Sequence, residues 1–144
     1  MTPALNLDNG TLAFHHVGLA CTDIDQEAIR LSVLGYRIEG APFVDPVQGV
    51  RGMFVGGQSP RLELLEPLGS AGVLTPWLEG GIRLYHLAYE AVDLDVSLAS
   101  LREHRGRLVV PPTPAVAFDG RAIAFVMLPN RLLVELIQGR RDES

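Results

Sequence analysis

Four ionisable residues sit in runs that are otherwise mostly apolar: His16 in FHHVGLA from Phe14, Glu63 in LELL from Leu62, His86 in LYHLA from Leu84 and Glu135 in LLVELI from Leu132. A buried carboxylate or imidazole left without a partner costs several kcal/mol. Taken singly, each histidine reads more often as a structural residue and each glutamate as a solvent-facing one on an edge strand. Brought together, two imidazoles and two carboxylates would satisfy one another by sharing one divalent cation, and this donor set suits Co, Mn, Ni, Zn and Fe alike. Two histidines with one glutamate also make the facial triad of ferrous oxygenases, although a fourth ligand would crowd the position that oxygen needs.

What joins the four is an internal repeat. The segment FHHVGLACTDIDQEAIRLSVLGYRIEGAP from Phe14 aligns with LYHLAYEAVDLDVSLASLREHRGRLVVPP from Leu84 at an offset of 70 residues. His16 falls on His86, Asp23 on Asp93, Asp25 on Asp95, Leu31 on Leu101 and Pro42 on Pro112. The match continues from Phe54-Val55 to Phe125-Val126, and Leu62-Glu63-Leu64 meets Val134-Glu135-Leu136 at an offset of 72, two loop-sized residues later. One His and one Glu thus recur at matched places in both halves, which is the signature of a shared centre near an internal twofold.

The elements that would position them follow from periodicity. Phe14 to Ala20 and Leu84 to Ala91 read as strands, and helices follow with Asp23 and Asp93 as N-caps. Apolar residues recur at helical spacing (Ile24, Ala28, Leu31; Leu94, Leu98, Leu101), and Gly35 and Gly106 stand where the helices stop. Three more strands complete each half: Arg37 to Val44, Val50 to Val55 and Arg61 to Leu65, then Leu108 to Val110, Ala122 to Leu128 and Leu132 to Ile137. The unit is βαβββ, used twice, in an α+β fold. Residues 1–12 read as an N-terminal extension, 13–68 as the first module, 69–81 as a linker with a helical turn around Trp77, 82–138 as the second module and 139–144 as a frayed tail. Neither half is long enough to bury its own sheet face, so the two sheets should meet across a pseudo-twofold axis.

Strand alternation puts Phe14, His16, Gly18 and Ala20 on one face, and likewise Leu84, His86 and Ala88. His15 and Tyr85 then fall on the opposite face as structural residues. His104, in Arg-Glu-His-Arg, reads as an exposed helix end, and Cys21 as a buried, inert thiol.

Composition removes whole classes of function. The net charge is -5 and only 20% of residues are charged, so phosphate-backbone binding lacks its positive surface and nucleic acid is an unlikely partner. All 12 basic side chains are arginine, which excludes Schiff-base catalysis and a P-loop lysine. A single cysteine excludes an internal disulfide, and no apolar run is long enough to span a bilayer. A cytoplasmic, soluble protein acting on a small molecule is the expectation.

From Phe14 to Gln138 the chain resembles the vicinal-oxygen-chelate superfamily, the glyoxalase and bleomycin-resistance group, and within it the methylmalonyl-CoA epimerases. FHHVGLACTDID is similar to the first-strand ligand motif with His16 as ligand, RLELLEPLG to the second with Glu63, YHLAYEAVDLD to the third with His86 and LLVELIQ to the fourth with Glu135. The resemblance implies a half-barrel cleft, a homodimer and a divalent metal acting as Lewis acid while a proton leaves the carbon alpha to a thioester carbonyl. It implies an acyl-CoA substrate and isomerase chemistry, with a glyoxalase-type lyase, an extradiol-type dioxygenase, a thiol transferase or a metal-free drug-binding protein as the alternatives. One departure stands out. The epimerases' non-ligand glutamate base falls on Gly52, or on Arg51, in Gln48-Gly49-Val50-Arg51-Gly52. Glu63 or Glu135 would then serve as base, with Asp45 and Glu90 as fallbacks, and Arg51 and Arg121 are candidates to meet a substrate carboxylate or phosphate.

Overall fold

Asp23 and Asp93 hold extended backbone and accept hydrogen bonds from the amides of Gln26 and Val96, starting helices at Ile24–Ser32 (α1) and Leu94–Glu103 (α3). The computed structural model, which describes residues 11–69 and 72–140, packs these helices against eight strands. The first module contributes β1 (Leu12–Ala20), β2 (Arg37–Asp45), β3 (Val50–Gly56) and β4 (Leu62–Pro67). The second contributes β5 (Leu84–Ala91), β6 (Arg107–Pro114), β7 (Ala122–Met127) and β8 (Leu133–Gln138). A short helix, α2 (Thr75–Glu79), lies between the modules, and a 3-10 turn (Val116–Phe118) lies between β6 and β7. The βαβββ unit therefore occurs twice, as its repeat required.

The two modules share one sheet, in the order β2-β3-β4-β1-β5-β8-β7-β6. β1 and β5 pair antiparallel at the centre, while β1 with β4 and β5 with β8 are parallel. One face is concave and carries a cluster that draws on both modules, including Val50, Leu65, Tyr85, Ala88, Phe118, Ile123, Phe125 and Ile137, with Phe43 and Trp77 packed against it. The convex face is covered twice: α1 packs on Met53, Val55, Leu62 and Leu64, and α3 on Val126, Val134 and Leu136. Each helix is also tied to the strand that carries a glutamate of the site. The Ile24 amide donates to Glu66 at 2.9 Å and the Leu94 amide to Gln138 at 3.0 Å, so the same junction is built in both halves.

Three expectations change. β6 runs through Pro111 and Pro112 to Pro114, because it is an edge strand and its missing amides leave no inner ladder unpaired. In the first half Gly35 takes the left-handed stop at φ +97°, but in the second that backbone is adopted by Arg105 at φ 69°. Gly106 is needed there for space, since a Cβ on it would lie 2.8 Å from both the Leu101 carbonyl oxygen and Val126.

The third change bears on the site. The β1–β5 ladder skips one residue in each strand, between Phe14 and His16 and between Leu84 and His86. These bulges sit at matched positions of the repeat and reverse the side-chain alternation locally. Phe14 and Leu84 turn outward, 49% and 44% exposed, and His15 and Tyr85 turn toward the concave face. The alternation expected for these four residues is thereby overturned, while that of His16 and His86 holds.

Candidate metal centre

The strand order β4-β1-β5-β8 sets Glu63, His16, His86 and Glu135 side by side across the floor of the concave face. The register does the alignment: Gly18 is opposite both Glu63 on β4 and His86 on β5, and Ala88 is opposite both His16 on β1 and Glu135 on β8. All four side chains are buried, from 0% exposed for His16 to 4% for Glu63, and one donor atom of each lies within 4.8 Å of the others. His16 Nε2 is 3.1 Å from His86 Nε2 and 3.1 Å from Glu63 Oε1, and 3.4 Å from Glu135 Oε1. His86 Nε2 is 3.3 Å from each of the two carboxylate oxygens.

These contacts do not form a satisfied hydrogen-bond network. Among the described residues, Glu135 Oε1 is within reach of both imidazoles yet makes no well-aligned hydrogen bond, and His86 Nδ1 has no partner either. The five spacings that involve an imidazole nitrogen, 3.1 to 3.4 Å, match the roughly 3.0 to 3.4 Å edges between donors bonded to one ion at about 2.0–2.2 Å, and the whole set lies within 4.8 Å. The residues fit a divalent cation in both donor chemistry and spacing.

The electrostatics without a cation point the same way. Burial alone would push the His86 ring down, but the negative charge of Glu135, with that of Glu63, outweighs it and lifts the ring to about 9. Burial likewise opposes charge on His16, and Glu63 overrides it to raise that ring. Burial works against ionised Glu63 and Glu135 too, but the adjacent imidazoles hold both carboxyls below their ordinary range. The pocket therefore concentrates negative charge that protons balance when no metal is present.

Aromatic rings hold the ligands in place. Phe54 and Phe125, matched in the repeat, pack edge-on against His16 and His86 with ring centres at 5.2 and 5.3 Å. Phe118 stacks on His16 at 6.0 Å, and Tyr85 meets His86 edge-on at 4.8 Å. Gly18 backs the His86 ring so closely that a Cβ there would sit 2.5 Å from Nδ1. Among these, Phe54 and Phe125 were visible in the repeat; Phe118 and Phe43 carried no periodic signal.

Asp45, Gln48, Val50, Leu65, Ala115 and Phe118 close the cavity above the centre. Asp45 accepts from the amides of Val47 and Gln48 and, at 3.5 Å, from that of Val116, so it ties the β2–β3 turn to the 3-10 turn. Glu90 pairs with Arg121 at 3.2 Å, and Arg121 also donates to the Gln138 carbonyl and lies over Phe118, at an open mouth shared with His15, Arg61 and Arg140. Arg51 lies elsewhere. It alternates with inward-facing Val50 and Gly52, projects to the α1 side and pairs there with Asp25 and Glu66, away from the cavity. Of the two positions that the epimerase base could occupy, only 52 faces inward, and a Cβ on Gly52 would run into the Phe43 ring and come within 2.8 Å of Leu65. Cys21 is buried, which pushes its thiol up to about 11, and His104 is an exposed C-cap of α3.

Residues 15–125 match the sequence profile of the Glyoxalase/Bleomycin resistance protein/Dioxygenase superfamily. The chain is 31% identical over 131 residues to the ethylmalonyl-CoA/methylmalonyl-CoA epimerase of Cereibacter sphaeroides, covering 86% of this chain and 96% of that protein. It is 33% identical over 131 residues to the mitochondrial methylmalonyl-CoA epimerase of Bos taurus, covering 86% and 73%. Its fold superposes with a TM-score of 0.73 and 25% identity on a variant of Streptomyces coelicolor methylmalonyl-CoA epimerase in complex with 2-nitronate-propionyl-CoA, covering 89% and 97% of the two chains. Two glyoxalase-like βαβββ modules, a buried His and Glu from each, and relatives of this kind place the chain in the glyoxalase/bleomycin resistance protein/dioxygenase superfamily.

Proposed function

We propose that the protein is a divalent-metal-dependent epimerase of 2-alkylmalonyl-CoA thioesters, with His16, Glu63, His86 and Glu135 as metal ligands and Glu63 and Glu135 as the acid/base pair. One conjunction carries this reading: four donors within 4.8 Å at matched positions, in a chain 31% identical over 96% of an ethylmalonyl-CoA/methylmalonyl-CoA epimerase. When bound, the cation supplies Lewis-acid stabilisation of the negative charge that develops on substrate oxygens as the α-proton leaves.

The chain's own residues account for the rest. Glu63 on β4 and Glu135 on β8 reach the centre from opposite sides of the imidazole pair. The carboxylate on one side accepts the α-proton, breaking C–H and forming O–H. The group on the other side, having first taken a proton from solvent while detached from the cation, gives that proton to the opposite face and becomes a carboxylate, and exchange with solvent resets the pair. The α-carbon is thereby inverted with no net change in protons. Position 52 offers no side chain for this task and Phe43 fills the space in front of it, which leaves the two ligand carboxylates as the acid/base groups nearest the centre. Phe43, Val50, Leu65, Phe118 and Phe125 give the cavity apolar walls that suit an alkyl substituent and exclude water around the reacting carbon.

The missing side chain at 52 favours one second reading, a lyase of glyoxalase type that relies on ligand carboxylates alone. Purified protein loaded with cobalt is incubated in deuterium oxide with single epimers of methylmalonyl-CoA and ethylmalonyl-CoA, and separately with a glutathione hemithioacetal. Metal-dependent deuterium entry at the α-carbon with inversion supports the epimerase. Turnover of the hemithioacetal with no exchange in either thioester would replace it with the lyase.

A further inference from the structure

We propose that His15 is a positioning residue that fixes His16 as an Nε2 ligand, by accepting a hydrogen bond from His16 Nδ1. The inference rests on the metal-site reading above and assigns a role to a residue that neither the repeat nor strand alternation marks.

The bulge at the start of β1 turns His15 toward the concave face, where its ring meets Phe118 at 5.5 Å and Phe54 at 6.2 Å. Its Nδ1 is then 2.7 Å from His16 Nδ1. Two ring nitrogens at that distance share one proton, which leaves two arrangements. If His15 donates, His16 keeps its own proton on Nε2, directed at Glu63, and cannot ligate through that atom. If His16 donates from Nδ1, its Nε2 lone pair faces Glu63, His86 and Glu135 and is free for a cation. Metal binding therefore requires His15 as acceptor, with the His15 proton on Nε2 toward the open mouth it lines. A partner on the second nitrogen of a ligating histidine sets its tautomer and orientation.

The other half shows what happens without this device. Tyr85 occupies the matched bulge and touches the His86 ring only edge-on, and His86 Nδ1 has no hydrogen-bond partner among the described residues. The pseudo-symmetry of the centre is broken at these two positions, and of the two imidazoles it is His16 whose Nδ1 has a side-chain hydrogen-bond partner among the described residues.

The test uses the full chain, stripped and reloaded with cobalt or zinc. His15→Phe keeps the ring contacts and removes the acceptor, and should weaken metal binding by about 10- to 100-fold in chelator competition. His15→Asn places an oxygen the same number of bonds from the backbone as Nδ1 and should recover most of that loss. In the unaltered zinc-loaded protein, long-range proton–nitrogen spectra should show the His16 proton on Nδ1. Parent affinity in His15→Phe overturns the inference and leaves the metal site standing, whereas a His16 proton on Nε2 in the loaded parent overturns both the inference and His16 as a ligand. A parent chain that takes up no cobalt or zinc overturns the metal reading itself. Should His15→Phe fail to fold, the His15 signals of the zinc-loaded parent decide: a proton on Nε2 and a bare Nδ1 support the acceptor role, and a proton on Nδ1 overturns it.

Discussion

Gly18 gives the sharpest mechanical test of the centre. It lies opposite both His86 and Glu63 in the sheet, and the His86 ring rests on its bare backbone. A methyl added by Gly18→Ala would sit 2.5 Å from Nδ1 and 2.6 Å from Nε2, where ordinary contacts begin at 3.4 Å. The ring, or the strand beneath it, must therefore yield by at least about 0.9 Å, since Cε1 lies closer still, and a well-formed site tolerates roughly 0.2 Å in its ligand distances. Phe125 and Tyr85 pack on two sides of the ring and leave it no second position beside the centre. One of four ligands is lost, and metal affinity should fall by at least about 100-fold, beyond what is lost when an outer hydrogen bond is removed. Competition with a chromophoric chelator measures this directly, and a thermal melt of the metal-free variant separates it from unfolding. A folded Gly18→Ala chain that binds cobalt as tightly as the parent would refute the placement of His86 against Gly18 and with it the packing argument.

The paired carboxylates should be separable. Glu63→Gln and Glu135→Gln should each slow epimerisation by about 10²- to 10⁴-fold while deuterium still enters from the remaining face, as seen by proton NMR; equal loss of exchange and inversion in both variants would argue against one base per face. Metal-free protein should lose stability from neutral to alkaline pH. The His86 ring is raised from 6.5 to about 9, so its contribution is fully present below 6.5 and vanishes as pH rises through about 9. Denaturant melts should show a loss of up to about 3 kcal/mol over that window, and a rise instead would reverse the sign of the coupling. Gly52→Ala should destabilise the fold by about 1–3 kcal/mol through collision with Phe43 and Leu65, and Phe43→Ala in the same chain should relieve part of it; a neutral Gly52→Ala would show that the cavity wall is loose.

The centre was legible because it is built twice. A His and a Glu at matched places in two apolar strands, with Asp23 and Asp93 capping matched helices, identified the four buried residues and the βαβββ unit without any distance information. Alternation along β8 puts Leu133, Glu135 and Ile137 on one face and Val134 and Leu136 on the other, as the core clusters bear out. The bulges were invisible because an extra residue in a strand leaves no punctuation, so His15 and Tyr85 were expected on the wrong face. Arg51 could have been placed better: Val50, Gly52 and Phe54 alternate inward, which sends it outward to Asp25 and Glu66. Phe118 and Phe43 reach the centre from a 3-10 turn and an edge strand, and only tertiary folding brings them there.

X-ray absorption on protein loaded with one equivalent of cobalt or zinc examines the ligand set itself. The expected result is one ion per chain with two imidazole nitrogens near about 2.0–2.1 Å and carboxylate oxygens near about 2.0–2.2 Å, and loss of one nitrogen in His86→Ala. Uptake well below one ion per chain, or a spectrum unchanged by His86→Ala, would contradict a shared cation at the junction of the two modules.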